Sequence, residues 1–154
     1  MSIKIPLYFR TRLTESGIPS TRLFAWVSLM SLEEYLPPMK AIIDTGSPVS
    51  VIPLKIWEQA VITKGPHEMI QTISGRPECD IGVMHGGVTI SLLNDKWEKI
   101  ITDWTIPADL CDTSEEPFLL GMHDFLKQGR LLMDYNSGEA WLELPDDLFW
   151  IYSK

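Results

Sequence analysis

The stretch Ala41-Ile42-Ile43-Asp44-Thr45-Gly46-Ser47-Pro48-Val49-Ser50-Val51-Ile52-Pro53 decides how the rest of the chain is read. An apolar run ends in a lone carboxylate, Asp44. A turn that Gly46 permits follows it, and then a second apolar run. The pattern is strand, turn, strand, with the carboxylate at the lip of a buried strand. Burying a carboxylate is costly unless hydrogen-bond donors surround it, and Thr45, Ser47 and the backbone around Gly46 are local donors. Taken alone, an Asp-Thr-Gly triplet is an ordinary turn leaving a strand.

Outward from this stretch most segments alternate, or run apolar, as strands do. They are residues 3–9, 23–29, 39–44, 49–52, 68–73, 79–83, 88–93, 97–106, 130–135 and 139–144. Ser74-Gly75-Arg76-Pro77 and Asn136-Ser137-Gly138 are turn signals, and Gly86-Gly87 punctuates before 88–93. Helical candidates are short: 54–60, and 122–128 with Gly129 as its stop. Residues 15–20 and 109–116 read as exposed loops. The fold class is therefore all-β with one or two short helices, and a closed or partly closed barrel would hide the strand edges. The six Trp read as core and barrel-end fillers, not as a platform for sugars or bases.

A chain of 154 residues suffices for one domain with its own core, and no linker divides residues 1–154. The net charge is −8, and Lys and Arg are scattered along the sequence without a basic cluster. A nucleic-acid partner therefore has no electrostatic support. No apolar run reaches membrane-spanning length and the first residues lack a signal-peptide core, so a cytoplasmic protein without membrane partners is expected. Cys79 and Cys111 are expected as free thiols. His67, His85 and His123 are isolated, more suited to surface or hydrogen-bonding roles than to metal ligation.

A second segment far downstream, Phe118-Leu119-Leu120-Gly121 followed by Met122-His123-Asp124-Phe125-Leu126, is an apolar strand ending in Gly before a short helix. Asp-Thr-Gly-Ser, a mid-chain hairpin with Gly at its tip, and apolar-apolar-Gly before a helix follow in that order over about residues 23–144. Together they resemble the retropepsin-like aspartic proteases, the family of the retroviral enzymes and their cellular and bacterial relatives. Pepsin-like relatives carry two such motifs in a chain about twice as long, so one motif here corresponds to one lobe.

The resemblance implies an aspartic endopeptidase with no metal or cofactor, built as a C2 homodimer with Asp44 of each subunit forming the dyad. Thr45 would reach the partner's turn, Gly46 would allow close approach of backbone to substrate, and the Ser47 hydroxyl would donate to the outer oxygen of Asp44. Gly121 belongs to the segment that crosses behind the loop. Ser74, Gly75 and Arg76 would form the tip of a substrate-covering flap. Val49, Val51, Ile73 and Ile81 would line an apolar pocket for an extended peptide. The terminal segments 3–9 and 148–152 would be dimer-interface strands. Viral members carry an acidic residue two positions after the loop Gly and an Arg just after the second Gly. This chain has Pro48 and Met122 there, and its helix start is one residue longer. Two other readings are open to the same sequence: a catalytically silent or gated lobe that binds extended peptides or assembles with partners, and an unrelated β-barrel binding module in which the Asp-Thr-Gly triplet is coincidental.

Overall fold

A computed structural model describes residues 2–70 and 75–147. Among the described residues ten strands run in chain order: β1 (Ser2–Leu13), β2 (Pro19–Leu29), β3 (Met39–Ile43), β4 (Val51–Ile52), β5 (Ile62–Ile70), β6 (Ile81–Leu93), β7 (Lys99–Cys111), β8 (Leu119–Leu120), β9 (Arg130–Asp134) and β10 (Glu139–Pro145). A single α-helical turn, α1 (Leu54–Trp57), follows β4. Short 3-10 segments lie at Pro77–Cys79 and Leu126–Gln128. The protein is all-β, as its sequence pattern requires.

The strands form one sheet in the order β5-β6-β7-β4-β8-β3-β2-β1-β10-β9, and a further pairing of β2 with β6 curls its middle into a partial ring. The inner face follows the period of two that a pleated strand imposes. Leu23, Ala25, Val27 and Leu29 of β2 are buried, as are Val88, Ile90 and Leu92 of β6 and Trp104, Ile106, Ala108 and Leu110 of β7. Each fully buried Leu or Ile contributes roughly 1.5–3 kcal/mol, so this continuous face is the main stabilising term. Phe125 is wholly buried and its ring lies 5.1 Å from that of Trp104, which ties the segment after β8 to the core.

Several local expectations are corrected. Gly86-Gly87 does not interrupt a strand; β6 runs straight through it. A Cβ at Gly86 would collide with the Thr63 carbonyl oxygen, and one at Gly65 with the His85 carbonyl, so these glycines let β5 and β6 approach at a bulge between Lys64 and His67. The strand expected from Trp97 starts at Lys99, because the Asn94 side chain accepts from the N–H groups of Lys96 (2.9 Å) and Glu98 (3.0 Å) and closes a turn. Trp97 sits in that turn at φ 63° and is exposed, so it fills no core. Residues 109–111 are not loop; they end β7, and Asp109 and Cys111 are buried.

The helix expected over 122–128 is replaced by a wide turn and the 3-10 segment. The Leu126 N–H donates to the Gly121 carbonyl (3.0 Å) and the Lys127 N–H to the Met122 carbonyl (2.9 Å), five residues back in each case. Arg10, Arg12, Arg22 and Lys40, far apart in sequence, line one groove, so the chain does possess a basic cluster. Cys79 and Cys111 are free thiols. Among the described residues no helix is long and apolar enough to cross a membrane.

Candidate active site

Asp44 follows β3, and the loop it opens leads into β4. Strand β8 lies between these two strands, parallel to β3 (Ile42↔Leu119, Ile43↔Leu120) and antiparallel to β4 (Val51↔Leu119). Backbone hydrogen bonds fix the loop along this crossing. The Asp44 N–H donates to the Leu120 carbonyl (3.0 Å), the Met122 N–H to the Ser47 carbonyl (2.9 Å) and the His123 N–H to the Pro48 carbonyl (2.9 Å). Gly121 sits where the two segments are closest. A Cβ there would fall inside contact distance of the Val49 carbonyl group and 2.9 Å from the Ser50 nitrogen, so only glycine passes.

The Asp44 side chain is half-buried, and its Oδ1 accepts the Gly46 N–H at 2.9 Å. The Ser47 N–H closes the turn on the Asp44 carbonyl at 3.2 Å. Thr45 and Gly46 are exposed at the tip. The Ser47 hydroxyl does not reach the carboxylate; it donates to the Val49 carbonyl at 2.6 Å, satisfying the backbone of its own turn. Asp44 opens onto a groove of about 400 Å³ that it shares with Thr45, Ile42, Leu119, Met133 and Tyr135. The β9 side of this groove was missed in the sequence. Its signal was the alternation of Leu131, Met133 and Tyr135, which places all three on that groove.

The remaining predicted site residues divide. Val49 is half-buried beside the loop. Val51 is buried with Val83 and Cys111, against Ile70, Ile81 and Leu119, so it forms a support beneath the loop and not an open pocket wall. Ile73 and Ser74 lie outside the described residues. Gly75, at φ 65°, and Arg76 lie in the connection beyond the β5–β6 hairpin, whose outermost pair is Ile70↔Ile81. Neither Gly75 nor Arg76 lines the Asp44 groove.

A second carboxylate, Asp124, carries a role that the sequence alone did not signal. It is buried, and both of its oxygens are held by Ser50: the backbone N–H donates to Oδ2 (2.7 Å) and the hydroxyl to Oδ1 (2.7 Å). The same hydroxyl accepts the Gly121 N–H at 3.0 Å. Burial raises the Asp124 pKa above the usual carboxylate range, and the Ser50 bonds pull partly against it. Ser50 and Asp124 thereby link the segment after β8 to the one that leaves the Asp44 loop.

On the far side of β4, His85 stands between two carboxylates, with Nε2 2.6 Å from Glu68 Oε2 and Nδ1 2.6 Å from Asp109 Oδ1. The bonds to Glu68 and Asp109 raise its pKa against a smaller opposing effect of burial. His67 lies 2.8 Å from Asp112 in the same row. Burial pushes the Cys111 thiol up to about 12, so it is an inert core group. Among the described residues no three His, Cys, Asp or Glu side chains gather as a metal site. The chain matches no protein-family model and no curated protein sequence.

Proposed function

We propose that the protein is an aspartic endopeptidase of the retropepsin-like kind, a single domain whose active centre is shared by two copies of the chain. The observation that carries this reading is the clasp of β8 between the two strands joined by the Asp44 loop. It holds one half-buried carboxylate rigidly at the edge of a groove. A rigid loop of this kind positions a reacting group better than a free surface turn does.

Peptide hydrolysis by carboxylates needs one ionised and one protonated. Two such groups about 3 Å apart cannot both ionise easily, so one pKa falls and the other rises. The ionised member takes a proton from a water molecule, and the protonated member donates to the carbonyl oxygen as the tetrahedral species forms. One chain supplies one such loop, and a C2 pair supplies two. Gly46 leaves the approach to Asp44 open, since a Cβ there would press to 3.3 Å from Oδ1. The substrate is an extended peptide with apolar residues near the cut, which the Ile42, Leu119 and Met133 surfaces favour.

In this reading the contact between copies lies on β9. The N-terminal strand is already used within the chain: Ser2 to Leu7 pair with β10 and Tyr8 to Leu13 with β2. Strand β9 ends the sheet; Met133 on it and Tyr135 just beyond it are exposed along the Asp44 groove, and Leu132 is exposed on the strand's other face. An apolar edge of this kind pairs readily with another chain. Segment 148–152, the other expected interface strand, lies outside the described residues.

Subunit mixing tests the shared centre. Adding an equal amount of Asp44→Asn chain to wild type, with exchange allowed, is expected to lower peptide cleavage to about half, because random pairing converts wild-type pairs into mixed ones. Cleavage unchanged after proven exchange would show that each chain works alone.

A further inference from the structure

Beside the Asp44 groove lies a second one of about 430 Å³, and the two share Arg22 and Ile42. Arg10, Arg12 and Arg22 of the β1–β2 hairpin and Lys40 of β3 line it, with Phe24 in its apolar part. All four cations are exposed. Strand register puts them on one face: Arg10 is directly opposite Arg22, Tyr8 opposite Phe24, and Phe24 opposite Ile42. Like charges directly across a strand pair are destabilising. Placing Arg10 directly across from Arg22 therefore sets up a local repulsion, which a bound anion would offset.

We propose that this basic groove seats an acidic segment of an extended peptide, upstream or downstream of the stretch that lies against Asp44. That the peptide is also a substrate rests on the peptidase reading; the seating itself rests on the groove. Arg10 and Arg12 project on the same side of β1, about 7 Å apart, which is the spacing of alternate side chains in an extended peptide. A Glu-Xaa-Glu segment matches it, and Arg guanidinium groups engage carboxylates through paired hydrogen bonds. A nucleic acid fits less well. The Lys40 ammonium already lies over the rings of Phe24 (4.9 Å) and Trp26 (5.4 Å), where bases would stack, and the protein as a whole repels a polyanion.

The test is binding of a fluorescent apolar peptide carrying Glu-Xaa-Glu, with its Gln-Xaa-Gln twin and a single-stranded oligonucleotide as competitors. It is read by anisotropy on the full chain bearing Asp44→Asn, so turnover does not enter. A silent Asp44 loop therefore leaves the result intact, while failure of the groove leaves cleavage by wild type to be judged separately. The Glu peptide is expected to bind on the order of tenfold more tightly than its twin at low salt, with the difference shrinking as salt is added. Arg10→Gln with Arg12→Gln is expected to abolish that difference. Lys40→Gln, a second exposed change, reduces it if either arginine variant disturbs folding. Equal binding of the two peptides, or tighter binding of the oligonucleotide than of the Glu peptide, overturns the proposal.

Discussion

Ser50 supplies two donors to Asp124, its N–H and its hydroxyl, each at 2.7 Å, and thereby locks the segment after β8 against the strand that leaves the Asp44 loop. A buried carboxylate with neutral donors on both oxygens is a structural fastener. Ser50→Ala removes one hydrogen bond to a charged group and strips the Gly121 N–H of its acceptor, and is expected to destabilise by about 2–3 kcal/mol in chemical denaturation. Asp124→Ala leaves the Ser50 N–H and hydroxyl without this acceptor and is expected to cost at least as much.

Asp124 also sets a slope in the pH dependence of stability. Its folded pKa is raised, so the folded state holds its proton more tightly than the unfolded one. Its contribution is therefore greatest below the unfolded carboxylate range, declines as pH rises through the folded pKa, and is level above it. Thermal melting from pH 3 to pH 7 compares wild type with Asp124→Asn, about the ordinary carboxylate range. The variant is expected to lose that decline, and an unchanged slope would assign it to other groups.

His85 has the corresponding behaviour nearer neutrality. Glu68 from β5 and Asp109 from β7 raise its folded pKa above 6.5. The stabilisation is fully present below the unfolded pKa and is lost as pH rises through the folded one. Melting temperature is expected to fall over that window in wild type and to be flatter in His85→Gln. Because His85 joins β5 to β7, hydrogen exchange in β5 is expected to quicken over the same window.

The glycines of the loop separate stability from chemistry. Gly121→Ala drives a methyl group into the backbone of Val49 and Ser50, and is expected to cost about 1–3 kcal/mol or more. At Gly46 the nearest atom to an added Cβ is Asp44 Oδ1 at 3.3 Å. Gly46→Ala is expected to hold its melting temperature within a few degrees while cleavage falls sharply. Parallel loss of both properties in Gly46→Ala would mean that the loop is a folding element first.

The all-β class and the placement of most strands were legible because burial on one face imposes a period of two, clear in Leu23, Ala25, Val27 and Leu29. The Asp44 loop was legible because Asp, Gly and flanking apolar runs are local chemistry. Long-range pairing was not. Gly86-Gly87 has the composition of a turn, and only the approach of β5 shows why glycine is needed inside a strand. Asp124 resembles any surface acid in sequence, since its partner Ser50 is 74 residues away. The basic groove was invisible for the same reason: Arg10 and Arg22 meet through a hairpin register, and Lys40 joins them from a third strand.

The edge strand makes a separate prediction about assembly. Met133→Glu places a charge on the exposed apolar side of β9 that borders the Asp44 groove, and is expected to weaken self-association in equilibrium sedimentation by more than tenfold while the fold persists. A dimer of undiminished affinity would move the interface elsewhere.

The most direct test of the central claim is cleavage of a diverse peptide pool from about pH 3 to 8, spanning the carboxyl range, by wild type and Asp44→Asn at matched concentrations. The account predicts that wild type cuts extended peptides at apolar sites, with activity per chain rising with protein concentration, and that a folded, dimeric Asp44→Asn is inactive. Cleavage that persists in Asp44→Asn, or no cleavage at any pH by a well-folded wild-type dimer, would contradict it.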